Sequence, residues 1–134
     1  MQYKDLTIDG FNFTLNTYPI EKGLENFHKL SGVLGPVLSQ LKSKSLDEEV
    51  GLEIIGNALH AFSISTTSEN FVSILKDVFY GIVIHSEAGK RSFVLNAEFN
   101  GKYLLIFELA KEQILFQFKD FLAGMTGFAG KNPV

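Results

Sequence analysis

Three histidines, His28, His60 and His85, are the side chains of this sequence best suited to ligate a metal or carry a proton near neutral pH. A metal site would need them to converge with carboxylates, and they lie on three separate segments with no i, i+4 pair. Gly89-Lys90-Arg91 echoes a phosphate loop, but Ile84 stands where that loop needs its first glycine. Arg91 stands where it needs the magnesium-binding hydroxyl, so the stretch reads as a turn. Asp47, Glu48 and Glu49 form an acidic run at the start of a helical pattern, where the helix dipole is reason enough for them. No Gly-x-Ser-x-Gly occurs to build a nucleophile elbow. With no cysteine, thiolate chemistry and disulfides are excluded. These residues lead to a protein that is not an enzyme, with no catalytic, cofactor-binding or metal-binding residues.

The elements that would have carried such groups are legible. Tyr3 to Tyr18 alternates in two runs around Asp9-Gly10, with Leu6 and Ile8 on one face and Phe11, Phe13 and Leu15 on one face after the turn. Asp-Gly tolerates the positive φ of a tight hairpin turn, so residues 2–17 are expected to form a β-hairpin. Two strands alone are marginal in water, and the hairpin must therefore lie on helices. Pro19 suits a helix start. From Ile20 to Leu41 a helical face holds Ile20, Leu24, Phe27, Leu30, Leu34, Leu38 and Leu41, with Gly35-Pro36 predicting a kink or short break. Ser45-Leu46-Asp47-Glu48 fits a capping box opening a helix to about Phe62, and Thr66-Thr67-Ser68-Glu69 fits another, opening one to about Ile84. Its inward residues would be Phe71, Leu75, Val78, Phe79 and Ile82. Ser86 to Ser92 reads as a charged loop, and Phe93 to Phe99 as a short strand or extended connector. The Gly-rich tail, 124–134, reads as loose, with Phe128 as a residue that could tuck back. At 134 residues the chain is expected to be one domain of α+β class, mostly α, its N-terminal hairpin packed on about four helices spanning 19–122.

The stretch with most apolar surface is Lys102 to Leu122. At 100° per residue, Tyr103, Phe107, Ala110, Ile114, Phe118 and Phe121 form one broad stripe, and Leu105, Leu109 and Phe116 a narrower second one. A helix apolar on two sides either sits in the middle of a bundle or keeps one stripe for a partner. Charges interrupt its apolar runs well short of the ~20 residues that cross a bilayer, so no membrane contact is expected. A net charge of −3 offers no basic field for nucleic acid. Thirteen phenylalanines without a tryptophan, and a slightly positive mean hydropathy, hint at apolar surface that a partner covers. Asn12-Phe13-Thr14 matches a glycosylation acceptor, but the charged opening MQYKDLTIDG lacks the apolar region of a signal peptide, so a cytoplasmic setting is expected.

The order of these pieces resembles the tail assembly chaperones of tailed bacteriophages. The resemblance rests on a strand, Asp9-Gly10, a second strand, Tyr18-Pro19-x-x-Lys22-Gly23-Leu24, and a helix reaching Leu34-Gly35-Pro36. Phe99-x-Gly101 and the apolar helix running into Phe118-x-x-Phe121 extend it over most of the chain, weakest from Leu46 to Ser92. Phe121-Leu122-Ala123-Gly124 only approximates the compact aromatic-glycine ending of that family. The resemblance implies binding rather than catalysis. The partner would be the helical, apolar tail tape measure protein, coated in the host bacterial cytoplasm before tail tube subunits polymerise around it. The tail tube protein and a second copy of the chain are further candidate partners, and the chaperone would be absent from the mature virion. On this reading the partner-binding residues are Leu105, Leu109, Phe116 and Phe121. The competing expectations are a small structural tail completion or connector protein, and a module binding a small apolar ligand among the phenylalanines.

Overall fold

The computed structural model describes the backbone of residues 2–42 and 48–131, and side chains of residues 2–33, 35 and 48–119. Strands β1 (Tyr3–Ile8) and β2 (Phe11–Asn16) form the expected hairpin, with Ile8 opposite Phe11. Asp9 and Gly10 between them take φ of 52° and 83°, the left-handed pair that a two-residue turn demands. Helix α1 (Ile20–Lys42) comes next, with the Pro19 carbonyl accepting from Gly23 N–H at 2.8 Å. It runs without a break past Gly35-Pro36. Helix α2 (Glu48–Ser65) and helix α3 (Ser68–Val78) complete the first half of the bundle. The first predicted capping box lies largely outside the described residues. The second is shifted by one: Thr67 is the cap, its hydroxyl accepting from Asn70 N–H at 3.1 Å, while Thr66 holds the Asn70 side chain at 2.8 Å.

After α3 the structure departs from the sequence reading. The predicted helix to Ile84 stops at Val78, because the chain turns through Tyr80 and Gly81, the latter at φ 81°. Val83–Ser86 and Gly89–Ser92 are then strands β3 and β4, not helix and loop. They extend the hairpin into a four-stranded antiparallel sheet in sequence order, with Phe13 opposite Ile84 and Ile84 opposite Arg91. Every residue of β4 is exposed, so it has no hydrophobic alternation for a pattern to detect. Of the two readings of Phe93 to Phe99, the extended connector is the right one. Phe93 to Asn96 is irregular, and one 3-10 turn, Ala97–Phe99, leads to helix α4 (Tyr103–Lys131). That helix continues through Gly124 and Gly127, where a loose tail was expected. Each glycine costs about 1 kcal/mol in a helix interior but forbids nothing sterically.

The sheet's inner face sets Leu6, Ile8, Phe11, Phe13, Leu15 and Ile84 against the helices. Helix α4 packs against α1, α2, α3 and β1, and is the central helix. Phe93 joins the layers, its ring 5.6 Å from Phe13, 5.2 Å from Phe79 and 5.1 Å from Phe99, centroid to centroid. Such edge-to-face pairs add about 0.5–1.5 kcal/mol each beyond their burial. Lys4 of β1 bridges the helices beneath it, reaching Glu48 at 2.9 Å and Glu112 at 3.2 Å.

A polar core lies where α3 ends. The last carbonyls of a helix lack partners within it and must find them elsewhere. Here the Asp77 carbonyl accepts from Asn26 Nδ2 at 2.8 Å. The Val78 carbonyl accepts from the Tyr18 hydroxyl at 2.5 Å and from Gln113 Nε2 at 3.0 Å, and the Tyr80 carbonyl from the same nitrogen at 3.3 Å. Gln117 closes the network, donating to Asn16 O at 2.7 Å and to Gln113 Oε1 at 3.2 Å while accepting from Tyr18 N–H at 2.9 Å. Burial pushes the Tyr18 phenol well above its ordinary pKa, so it stays a donor. This network also corrects the predicted α1 face. Asn26 and Val33 turn inward with Leu30, whereas Ile20 and Leu24, expected in the core, stand in solvent.

Gln113→Leu should lower unfolding free energy by about 1–3 kcal/mol in urea titrations, since the Tyr80 carbonyl loses its side-chain donor and Gln117 an acceptor. Tyr18→Phe should lower it by less, since only Val78 is affected and it keeps Gln113. The Asp77 carboxylate is held by Lys29 at 3.0 Å and Lys22 at 3.3 Å. Burial pushes its pKa up, but these hydrogen bonds and charges outweigh that and hold it below the ordinary 3.8. A depressed carboxylate stabilises above its unfolded-state value and loses that contribution as pH falls through the folded-state one. The melting-temperature gap between wild type and Asp77→Asn should therefore be constant near neutrality and close below pH 3.8.

Candidate functional site

The residues first weighed for chemistry do not assemble. His28 and His60 are exposed on α1 and α2, and no group of three or more His, Asp or Glu among the described residues could hold a metal ion. His85 Nε2 lies 2.7 Å from Thr14 Oγ1, whose hydroxyl donates to Asp5 Oδ1 at 2.6 Å. With the Thr14 proton committed to Asp5, His85 is the donor in this row, the wrong direction for a base activating a nucleophile. Gly89 closes the β3–β4 turn, and Lys90 and Arg91 lie in β4, the latter ion-paired with Glu98. Glu48 opens α2 and pairs with Lys4.

The stripe expected to be spare is core. Leu105 is 3 % exposed and Leu109 is 0 %, both inside the central cluster, and Phe116 is half-buried against it. The Phe121 side chain lies outside the described residues. Ala110, Ile114 and Phe118 are buried as the first stripe predicted, so α4 is sandwiched on both sides. Tyr103, placed in the core stripe, is instead 80 % exposed. The reason is position: Tyr103 and Leu104 open the helix just past the Asn100-Gly101 turn, where the bundle has not yet closed around it.

The described surface does offer apolar ground elsewhere. Between α3, the connector and the first turns of α4 runs a groove of about 490 Å³ walled by Phe71, Val72, Leu75, Leu95, Phe99, Tyr103, Ile106 and Phe107. Its polar lining is Asn96 and Asn100. Phe71 is braced from behind by Phe62 of α2, ring centroids 6.1 Å apart. Leu95 also borders a second groove of about 650 Å³, along Lys76, Phe79, Tyr80 and Val94. Tyr80 touches Tyr18 at 6.5 Å between ring centroids, and Tyr18 lines a third, of about 330 Å³, with Pro19, Ile20, Leu24, Phe27 and Phe118. Val72, Val94, Tyr103, Ile20 and Leu24 all stand exposed along this course. Periodicity missed them because each shares a helical arc or an extended run with true core residues. No phenylalanine with a described side chain is exposed, so the surplus of that residue went into the core and groove walls, not onto the surface.

Fold and grooves define a small α+β protein, helical in the main, with apolar surface open along one course. A family model described as phage tail assembly chaperone protein, TAC, matches residues 9–129, and the chain belongs to that family. No curated protein and no solved structure matches it significantly. No described helix is long and apolar enough to cross a membrane.

Leu105→Glu or Leu109→Glu should abolish cooperative unfolding, because each buries an unpaired charge. Leu104→Glu, next in sequence but 75 % exposed, should leave stability within about 0.5 kcal/mol of wild type by urea denaturation.

Proposed function

We propose that this tail assembly chaperone binds the tail tape measure protein in the host cytoplasm, keeps its apolar helices soluble until the tube grows over them, and is absent from the finished virion. It acts by binding and not by catalysis. The observation that carries the reading is the groove between α3 and the start of α4, in a member of this family. Helices that expose apolar residues at i, i+3 and i+4 lay them into such a trough, as other helix-in-groove complexes do. The walls are large, rigid side chains, and the two asparagines at the rim supply hydrogen bonds that tolerate many sequences. The partner surface is thus moved from Leu105 and Leu109, which the core uses, to Val72, Leu95, Tyr103 and Phe107.

The test is co-expression with the tape measure protein of the same phage, reading that protein's soluble fraction and its retention on the tagged chaperone. Wild type should solubilise and retain it. Val72→Asp with Tyr103→Asp, both exposed groove residues, should fold normally and weaken retention by about tenfold or more, the scale of losing a buried contact residue. A tape measure protein that stays insoluble and unbound with wild type would overturn the reading. Peptides of this chain in purified virions would instead mark a structural tail component.

A further inference from the structure

We propose that the groove at the start of α1 takes a helical segment whose apolar side chains are flanked, one turn away, by lysine or arginine. The proposal rests on the tape measure reading and specifies the chemistry of the segment held. The groove floor is made by the rings of Tyr18, Phe27 and Phe118, packed on one another at 6.2 and 5.8 Å between centroids. Its rim carries Ile20 and Leu24, 77 % and 62 % exposed on a helix that has a buried face of its own. Large aliphatic side chains in that position cost solubility and do nothing for the core.

The charges around it decide what fits. At 100° per residue, His28, Glu21 and Glu25 flank Leu24 round the outer margin of α1, and all three are exposed. Lys22 and Lys29 lie on the far flank of the helix, and both are tied to Asp77, with Lys22 also 5.2 Å from the centre of the Tyr80 ring. Lys119 of α4, next to Phe118, acts on Glu48 of α2. Among the described residues no cation pairs with Glu21 or Glu25. Glu21 lies in the first turn, where it answers the helix dipole, but Glu25 has no such role. An apolar trough edged by two unopposed carboxylates disfavours a second copy of this chain, which would bring four together, and an anionic lipid surface, which would add more. It favours an amphipathic helix with a basic margin.

Two synthetic amphipathic helical peptides with the same leucine face, one flanked by lysine and one by glutamate, provide the test by fluorescence anisotropy. The lysine peptide should bind about tenfold tighter or more at low salt, and the gap should close near ~1 M salt, where screening reaches ~3 Å. Glu21→Lys with Glu25→Lys should reverse the order, Glu21→Gln with Glu25→Gln should erase it, and Leu24→Asp should weaken the lysine peptide. These substitutions all fall on exposed positions, and circular dichroism confirms that each variant folds. Equal affinity for the two peptides, binding of neither, or no response to the double lysine variant would overturn the proposal. In the co-expression experiment, a double lysine variant that solubilises the tape measure protein as wild type does would overturn this inference and leave the chaperone reading standing. Failure of wild type there would instead overturn the reading itself.

Discussion

The carbonyls that α3 leaves behind at Asp77, Val78 and Tyr80 are the point on which the architecture turns. Three donors meet them, and each comes from a different part of the chain: Tyr18 from the segment after β2, Asn26 from α1, Gln113 from α4. Where the buried end of α3 is satisfied, the distance and rotation of its neighbours are fixed. An unpaired carbonyl there would cost about 1–3 kcal/mol, a large share of the stability of a small domain. The arrangement has its own cost, since Asn26 Oδ1 is buried without a hydrogen-bond partner among the described residues. The same turn that needs capping also aims Val83 to Ser86 at the hairpin, so helix end and sheet growth are settled together.

Hydrophobic periodicity captured what repeats and missed what happens once. The hairpin was legible because alternation and Asp9-Gly10 agree. Helices α1 and α2 were legible as segments, but the face of α1 was not. Asn26 points inward for a hydrogen bond made to a residue far along the chain, and no local pattern encodes that. The second hairpin failed for another reason. Val78, Phe79 and Ile82 satisfy helical spacing as well as they satisfy a turn into a strand, and Gly89-Lys90-Arg91-Ser92 carries no apolar residue to vote for a sheet. The sheet there is held by backbone pairing and by Phe93 anchoring its far end, where Phe93 N–H donates to Ile82 O at 2.9 Å.

The two stripes of α4 were ambiguous by the same logic. Two apolar stripes on α4 describe a helix surrounded by others as well as one that saves a face for a partner, and burial chose the first. What remains on the surface is spread over three helices and an extended connector: Ile20 and Leu24, Val72, Val94, Tyr103. No single window of sequence contains it, because the tertiary fold assembles it. The resemblance to the chaperone family does not rest on this, since it depends on the order of turns and helices and not on which face is free.

Surfaces that welcome apolar segments carry a hazard, which the sheet addresses at its margins. Its outermost strands, β1 and β4, carry Lys4 and Asp5 on one side and Lys90 and Arg91 on the other. A second molecule adding itself antiparallel along β4 would crowd like charges across the new ladder, and charged edge residues are a known defence against such growth. The protein is thereby open to side chains and closed to strands. On the proposed reading, such edges would let it take apolar helices into its troughs without becoming the seed of a fibre.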